Sequence, residues 1–299
     1  MIKNQKNLLK AVLIFFLLGL STDVENGIGL DSKTFLWKVR SKTNTVYLLG
    51  SIHLFKKDLY PLNARIEEAF AQSDLLAVEA NISDPRQLDL QKLVEKALYS
   101  GDDTVENHVS RQTYELIRKR GGELGLPTEL LMKQKPWFLG LMLTSVGFLK
   151  LGFDPTHGID QYFLSKAAGK KSILELESLE YQFNLLSNFS DRDQELFLLM
   201  ALRDLDAFGK DMDRFLQAWV SGDTRAIERM MTQSMTEDNR LSSIYEALVY
   251  DRNRKMASRV EDFLKARETY FVIVGAGHLI GEKGIVEILR KKGYLVEHM

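Results

Sequence analysis

Phe35, Trp37 and Val39 alternate with polar or edge positions, which predicts a half-buried strand near the start of the chain. Val46 to Leu49 is a short unbroken apolar run that stops at Gly50, which predicts a strand buried on both faces. Pro61 is expected to open a helix whose apolar stripe is Leu62, Ile66, Ala69 and Phe70. Further buried strands are predicted at Leu75 to Val78, ending at Glu79, at Ile173 to Leu176, ending near Glu177, and at Phe271 to Val274, ending at Gly275. A last strand is expected around Tyr294 to Val296, after a helix over Ile285 to Arg290. Helical spacing dominates from Pro85 to Ala168 and from Ser178 to Glu268. Strands at both ends of the chain must close one sheet. The expected architecture is therefore α/β: a mixed central sheet with flanking helices and a large helical insertion, in a single domain over 33–299.

Two apolar stretches raise the question of a membrane. Trp137 to Leu149 is uncharged between Lys135 and Lys150, but it is too short for a bilayer and contains Thr144 and Ser145, so it reads as a core helix. Residues 1–21 differ: Lys3, Lys6 and Lys10 precede the apolar run Ala11 to Leu20, with no acid before Asp23. That is the pattern of a secretory signal, with cleavage expected after Ser21, or of an uncleaved anchor over residues 8–22. The chain is expected to be exported, periplasmic or extracellular, and to meet a membrane through that segment alone.

Composition narrows the chemistry. The 299 residues are 45% hydrophobic and 27% charged, enough for a sizeable core. Forty basic against forty-one acidic residues give no case for nucleic acid as a partner. There is no cysteine, which removes disulfides, thiolate metal sites and cysteine nucleophiles. No His-Glu-x-x-His or Gly-x-Ser-x-Gly run occurs, and Gly275-Ala276-Gly277 fails as a dinucleotide fingerprint because position 280 is Ile.

Ligands in open α/β sheets bind beyond the carboxyl ends of strands. Those ends carry Gly50-Ser51-Ile52-His53, Glu79, Glu177 and Gly275-Ala276-Gly277-His278. Gly50 and Gly275, each directly after a buried run, let the backbone turn so that a histidine three residues on points back over the strand end. A single Gly-x-x-His carries little weight; two copies, each behind a buried strand, suggest one shared site. Imidazole and carboxylate suit zinc, manganese, cobalt or iron. Solvated loop histidines and a solvent-facing Glu79 are the plain alternative. One of Glu175 and Glu177 is expected to be exposed, His108 to lie on the surface and His157 to serve as a helix cap. Arg252 falls on the apolar stripe of Tyr245, Val249, Met256, Val260 and Phe263, where it must find a carboxylate or carbonyl, unless the helix breaks near Asp251.

The run from Tyr270 to Gly281, the Leu48-Leu49-Gly50-Ser51-Ile52-His53-Leu54 motif and the Glu79 strand together resemble the TraB/PrgY/GumN family, which includes the animal Tiki proteins. Lys135-Pro136-Trp137, Gly158-Ile159-Asp160, Glu177, Gln182, Arg252-Asn253 and the ending from Gly293 to His298 support the resemblance. It implies metal-dependent proteolysis with manganese or cobalt, and zinc or iron as further candidates. It also implies His53, Glu79 and His278 as metal ligands, with Gly50, Gly275 and Gly277 as motif glycines. Glu177 would be general base or would stand behind the ligands, with Asp160 a further candidate. Arg252 and Asn253 would position substrate or hold a carboxylate. The helical middle would form a wall or lid over an extended peptide. Three functions stay open: a metal-dependent peptidase acting on peptides or exported proteins, a non-catalytic peptide-sequestering regulator, and a metal-independent hydrolase resembling the erythromycin esterases.

Overall fold

All the predicted strands enter one sheet. The structure, a computed structural model, describes residues 33–299 apart from 54, 56–58, 85–88 and 205–207. The basic-apolar leader therefore lies outside the described residues. The strands are β1 (Leu36–Arg40), β2 (Thr45–Ser51), β3 (Leu75–Val78), β4 (Ser172–Glu175), β5 (Tyr270–Gly275) and β6 (Leu295–His298). They lie in the order β4-β3-β5-β2-β1-β6. The four strands from β4 to β2 run parallel, while β1 is antiparallel to both β2 and β6. β5, late in the chain, fills the centre, and every residue in it is buried. That is what an unbroken apolar run requires of a strand covered by helices on both faces.

The register decides where the chemistry falls. Gly50 stands opposite Val274 and Ser51 opposite Gly275, so the two Gly-x-x-His loops leave neighbouring parallel strands at the same level. Val78 pairs with Ile273 and with Glu175, which brings Glu79 and Glu177 out at the same edge.

The apolar side chains form two clusters. One covers the sheet, and the other lies among the helices around Trp137, Leu143, Phe183 and Leu198. The uncharged stretch is the core helix Pro136–Lys150, buried along most of its length and packed against the Asp191–Asp204 helix. Among the described residues no helix is long and apolar enough to cross a membrane.

Three local expectations are corrected. Pro61 lies ahead of its helix, which runs Ala64–Gln72 and is capped by Asn63, whose side chain accepts the Arg65 N–H. His157 is not a cap: Asp154 accepts the Thr156 N–H at that turn, and the His157 carbonyl takes the Tyr60 hydroxyl at 2.7 Å. The last strand begins at Leu295, because Gly293 takes a φ of 89° and the Tyr294 N–H still bonds the Leu289 carbonyl of the preceding helix. His298, left without a role by the sequence, stacks on Trp37 with ring centroids 4.7 Å apart.

Candidate active site

The first histidine loop is held from three directions. Trp219 donates its indole N–H to the Gly50 carbonyl at 2.6 Å, and Ile159 donates its backbone N–H to the Ile52 carbonyl at 3.1 Å. Gly158 lies so close that a Cβ there would collide with the His53 carbonyl, so the Gly158-Ile159 step can dock only as glycine. This docking starts the Ile159–Ala167 helix beside the loop and sets Asp160 in its first turn. Asp160 Oδ2 lies 2.7 Å from His53 Nδ1, and its Oδ1 accepts the Ser51 hydroxyl at 3.1 Å. His53 Nε2 has no hydrogen-bond partner among the described residues. With a side chain 19% exposed, His53 is the part of the site that solvent reaches.

The second histidine follows β5 directly, within the short Ala276–Leu279 turn of helix. Its Nδ1 lies 2.6 Å from Asn253 Oδ1, and its Nε2 lies 3.7 Å from Glu79 Oε1. Both rings thus have Nδ1 engaged, and Nε2 is the atom each has to offer.

Arg252 organises the acids. A wide turn over Glu246–Tyr250, with the Asp251 N–H bonded five residues back to the Glu246 carbonyl, leads into the Asp251–Lys265 helix. The helix does not break, and Arg252, 1% exposed, stays on its buried face. Its Nη2 donates to Glu79 Oε2 at 2.7 Å, its Nε to Glu177 Oε2 at 2.9 Å, and its Nη1 to the Leu248 carbonyl at 3.0 Å. Glu79 Oε1 also accepts the Gly275 N–H at 2.5 Å, tying the acid to the start of the second loop. Gln182 Nε2 bridges the pair, 3.4 Å from Glu79 Oε2 and from Glu177 Oε2. Glu175, the other acid on that strand, accepts the Asn81 N–H, and neither it nor Glu177 is exposed as expected for one of them.

The charges follow from these contacts. Burial works against an anion at Glu79, but His278, Arg252, His53 and the Gly275 N–H outweigh it and lower its pKa to about 2. Burial also works against a cation at His53, and the adjoining Asp160 carboxylate, with Glu79 beyond it, overcomes this and raises its pKa to about 9. Burial, with Arg252 nearby, pushes His278 the other way, down to about 3. Glu177 is raised, by burial first and by the Glu79 charge as well. A single centre therefore holds one imidazole that favours its cation and one that stays neutral.

Glu79 has a folded pKa below its unfolded one, so its contribution to stability is complete above about pH 4.5 and is lost as pH falls toward 2. The expected loss across that window is about 3 kcal/mol. Thermal unfolding between pH 6 and pH 2 checks it. The Glu79→Gln variant should lose much of that slope, and an unchanged slope would refute the assignment.

The expected ligand trio His53, Glu79 and His278 is brought to one edge of the sheet but is not a closed metal cage. Among the described residues no three histidine or acidic side chains lie close enough together to hold an ion. Both oxygens of Glu79 are also engaged, by Arg252 and by the Gly275 N–H. What fits a borderline divalent ion is the pair of imidazoles, each fixed through Nδ1 by a neighbour in the way ligating histidines are. Asp160 contacts His53 and Ser51, and Asn253 contacts His278 and the Lys283 carbonyl, not a carboxylate. Sequence reasoning missed Ser51, the second partner of Asp160, although it lies inside the first motif. An open cavity of about 540 Å³ lined by Trp37, Arg225, Glu228 and Arg290 holds none of these residues.

The sequence of the TraB/PrgY/gumN family matches residues 35–298. The uncharacterized protein YbaP of Escherichia coli (strain K12) is 26% identical over 245 residues, covering 82% of this chain and 87% of YbaP. An uncharacterized protein of Treponema pallidum (strain Nichols) is 24% identical over 275 residues, covering 87% of this chain and 81% of its own length. Metalloprotease TIKI1 of Danio rerio is 23% identical over 317 residues, covering 90% of this chain and 63% of its own. No solved structure matches the chain significantly.

Proposed function

The chain belongs to the TraB/PrgY/gumN family, and from that premise we propose that it is a metal-dependent peptidase acting on peptides or exported proteins outside the cytoplasm. The observation that carries this reading is the pair of imidazoles leaving adjacent parallel strands, each with Nδ1 held by a neighbour; His53 Nε2 would release the proton it otherwise carries when a cation binds. Kinship with proteins named metalloproteases supports it, and the basic-apolar start of the sequence supports export.

A divalent cation, manganese or cobalt first, would be held by His53 and His278, with Glu79 beside them. When bound it supplies an activated water and a Lewis acid for the scissile carbonyl. The chain supplies the rest. Asp160 orients His53 and strengthens it as a donor. Arg252 and the Gly275 N–H keep Glu79 anionic and immobile, so that its field bears on both rings without a proton in the way. Glu177, with its raised pKa, is the acid better able to exchange a proton. The exposed edge of His53 sets the side from which a peptide would approach.

The engaged oxygens of Glu79 favour one second reading, a hydrolase that uses no metal. There the His53–Asp160 pair would donate a proton and neutral His278 would accept one. Stripping the purified protein with a chelator, assaying a peptide library, and restoring Mn²⁺ or Co²⁺ separates the two. Cleavage lost on stripping and recovered with metal is the expected result. Cleavage indifferent to the chelator establishes the second reading, and stoichiometric peptide binding without product establishes a sequestering protein instead.

A further inference from the structure

The site holds its two histidines by different means, an anion for His53 and a neutral amide for His278. The amide contact has a direction that can be read without seeing a hydrogen. Asn253 Nδ2 lies 2.9 Å from the Lys283 carbonyl, and a carbonyl can only accept. The amide nitrogen must therefore face Lys283, and Oδ1 must face His278. Turning the amide over would set two acceptors against each other at Lys283. Oδ1 in turn can only accept, so the His278 Nδ1 at 2.6 Å must carry a proton. A neutral imidazole protonated at Nδ1 has its lone pair at Nε2, the atom 3.7 Å from Glu79 Oε1.

We propose that Asn253 is a positioning residue that locks His278 as the Nδ1–H tautomer and so aims the Nε2 lone pair at the centre of the site. Free imidazole prefers the opposite tautomer, so without this contact the ring would turn a proton toward the place where a ligand or substrate proton must be received. The chain of bonds is short and enclosed: Asn253 is 0% exposed and His278 1% exposed, out of reach of bulk solvent. The backbone that anchors it belongs to the Gly281–Gly284 turn, tight enough that a Cβ at Gly284 would collide with the Ile280 carbonyl. Holding His278 by an amide rather than a carboxylate also keeps a second negative charge away from Glu79, where it would repel.

The catalytic consequence rests on the proposed peptidase reading, but the tautomer does not, and the experiment keeps the two apart. Two-bond ¹⁵N–¹H correlation spectra of the full, metal-free chain with ¹⁵N-labelled histidine read the tautomer directly, with the His278 signals assigned from a His278→Gln sample. Wild type is expected to show Nδ1 protonated and Nε2 bare, and Asn253→Leu to shift the ring toward Nε2–H. Nε2–H in the wild type, or a tautomer unmoved in Asn253→Leu, overturns the proposal, and the wild-type spectrum alone can do so if the variant fails to fold. In the cleavage assay Asn253→Leu should lower kcat about 10–100-fold with little change in KM. A correct tautomer in a protein that cleaves nothing would sink the peptidase reading and leave this inference standing.

Discussion

Arg252→Met is expected to lower the free energy of unfolding by about 3–5 kcal/mol, the loss typical when one partner of a buried ion pair is removed. The guanidinium is 1% exposed and faces Glu79 and Glu177, whose side chains are 6% and 4% exposed. Methionine fills similar volume, so the loss comes from two carboxylates left in an apolar setting and not from a void. Neutralising them should recover part of it: the triple variant Arg252→Met, Glu79→Gln, Glu177→Gln should be more stable than Arg252→Met alone. Arg252→Lys should recover little, because an ammonium is a single point charge and cannot fork to two acids and the Leu248 carbonyl together. Urea unfolding monitored by circular dichroism gives all four values. A loss below about 1 kcal/mol in Arg252→Met would mean that the acids are neutral or hydrated, contrary to the network described.

His278→Ala should reduce peptide cleavage by about 10²–10⁴-fold while leaving a cooperative unfolding transition. The ring makes one hydrogen bond, to Asn253, so its loss empties the centre without severing the Arg252 network. Asp160→Asn should cost less, about 10–100-fold, because it acts through His53. The pair of values is diagnostic. Equal losses would make Asp160 a direct participant, and unimpaired cleavage in His278→Ala would place the active centre elsewhere. Melting curves of each variant distinguish lost chemistry from lost fold.

The strand ends were legible because the signals were local. Each buried run stops at a glycine or an acid, and the loops that matter begin there. Arg252 was legible for a related reason: a cation on an apolar helical stripe poses a question of partners, and Glu79 and Glu177 are the answer. Asp160 was not legible from spacing. It is 107 residues from His53, and its place is set by the docking of Gly158 against the His53 carbonyl, a contact with no periodicity to betray it. The resemblance pointed to Asp160, as a further candidate for base or supporting carboxylate, without naming His53 as its partner. Asn253 was similarly hidden, since its function depends on which way its amide faces, and that is decided by a backbone carbonyl thirty residues away. Pro61 and His157 misled for one reason: each stands ahead of the true helix start, which is capped by Asn63 in one case and by Gly158 in the other.

β5 lies between β2 and β3 and carries one of the two histidine loops. Until residues 270–275 have been synthesised, β2 and β3 have no common neighbour, and two apolar edges stand open to any passing strand. A growing polypeptide of this sequence thus lacks the wedge that joins its halves until β5 has emerged. Fragments that stop short of residue 270 carry His53 without His278, so the two Gly-x-x-His loops can meet only after β5 has entered between β2 and β3.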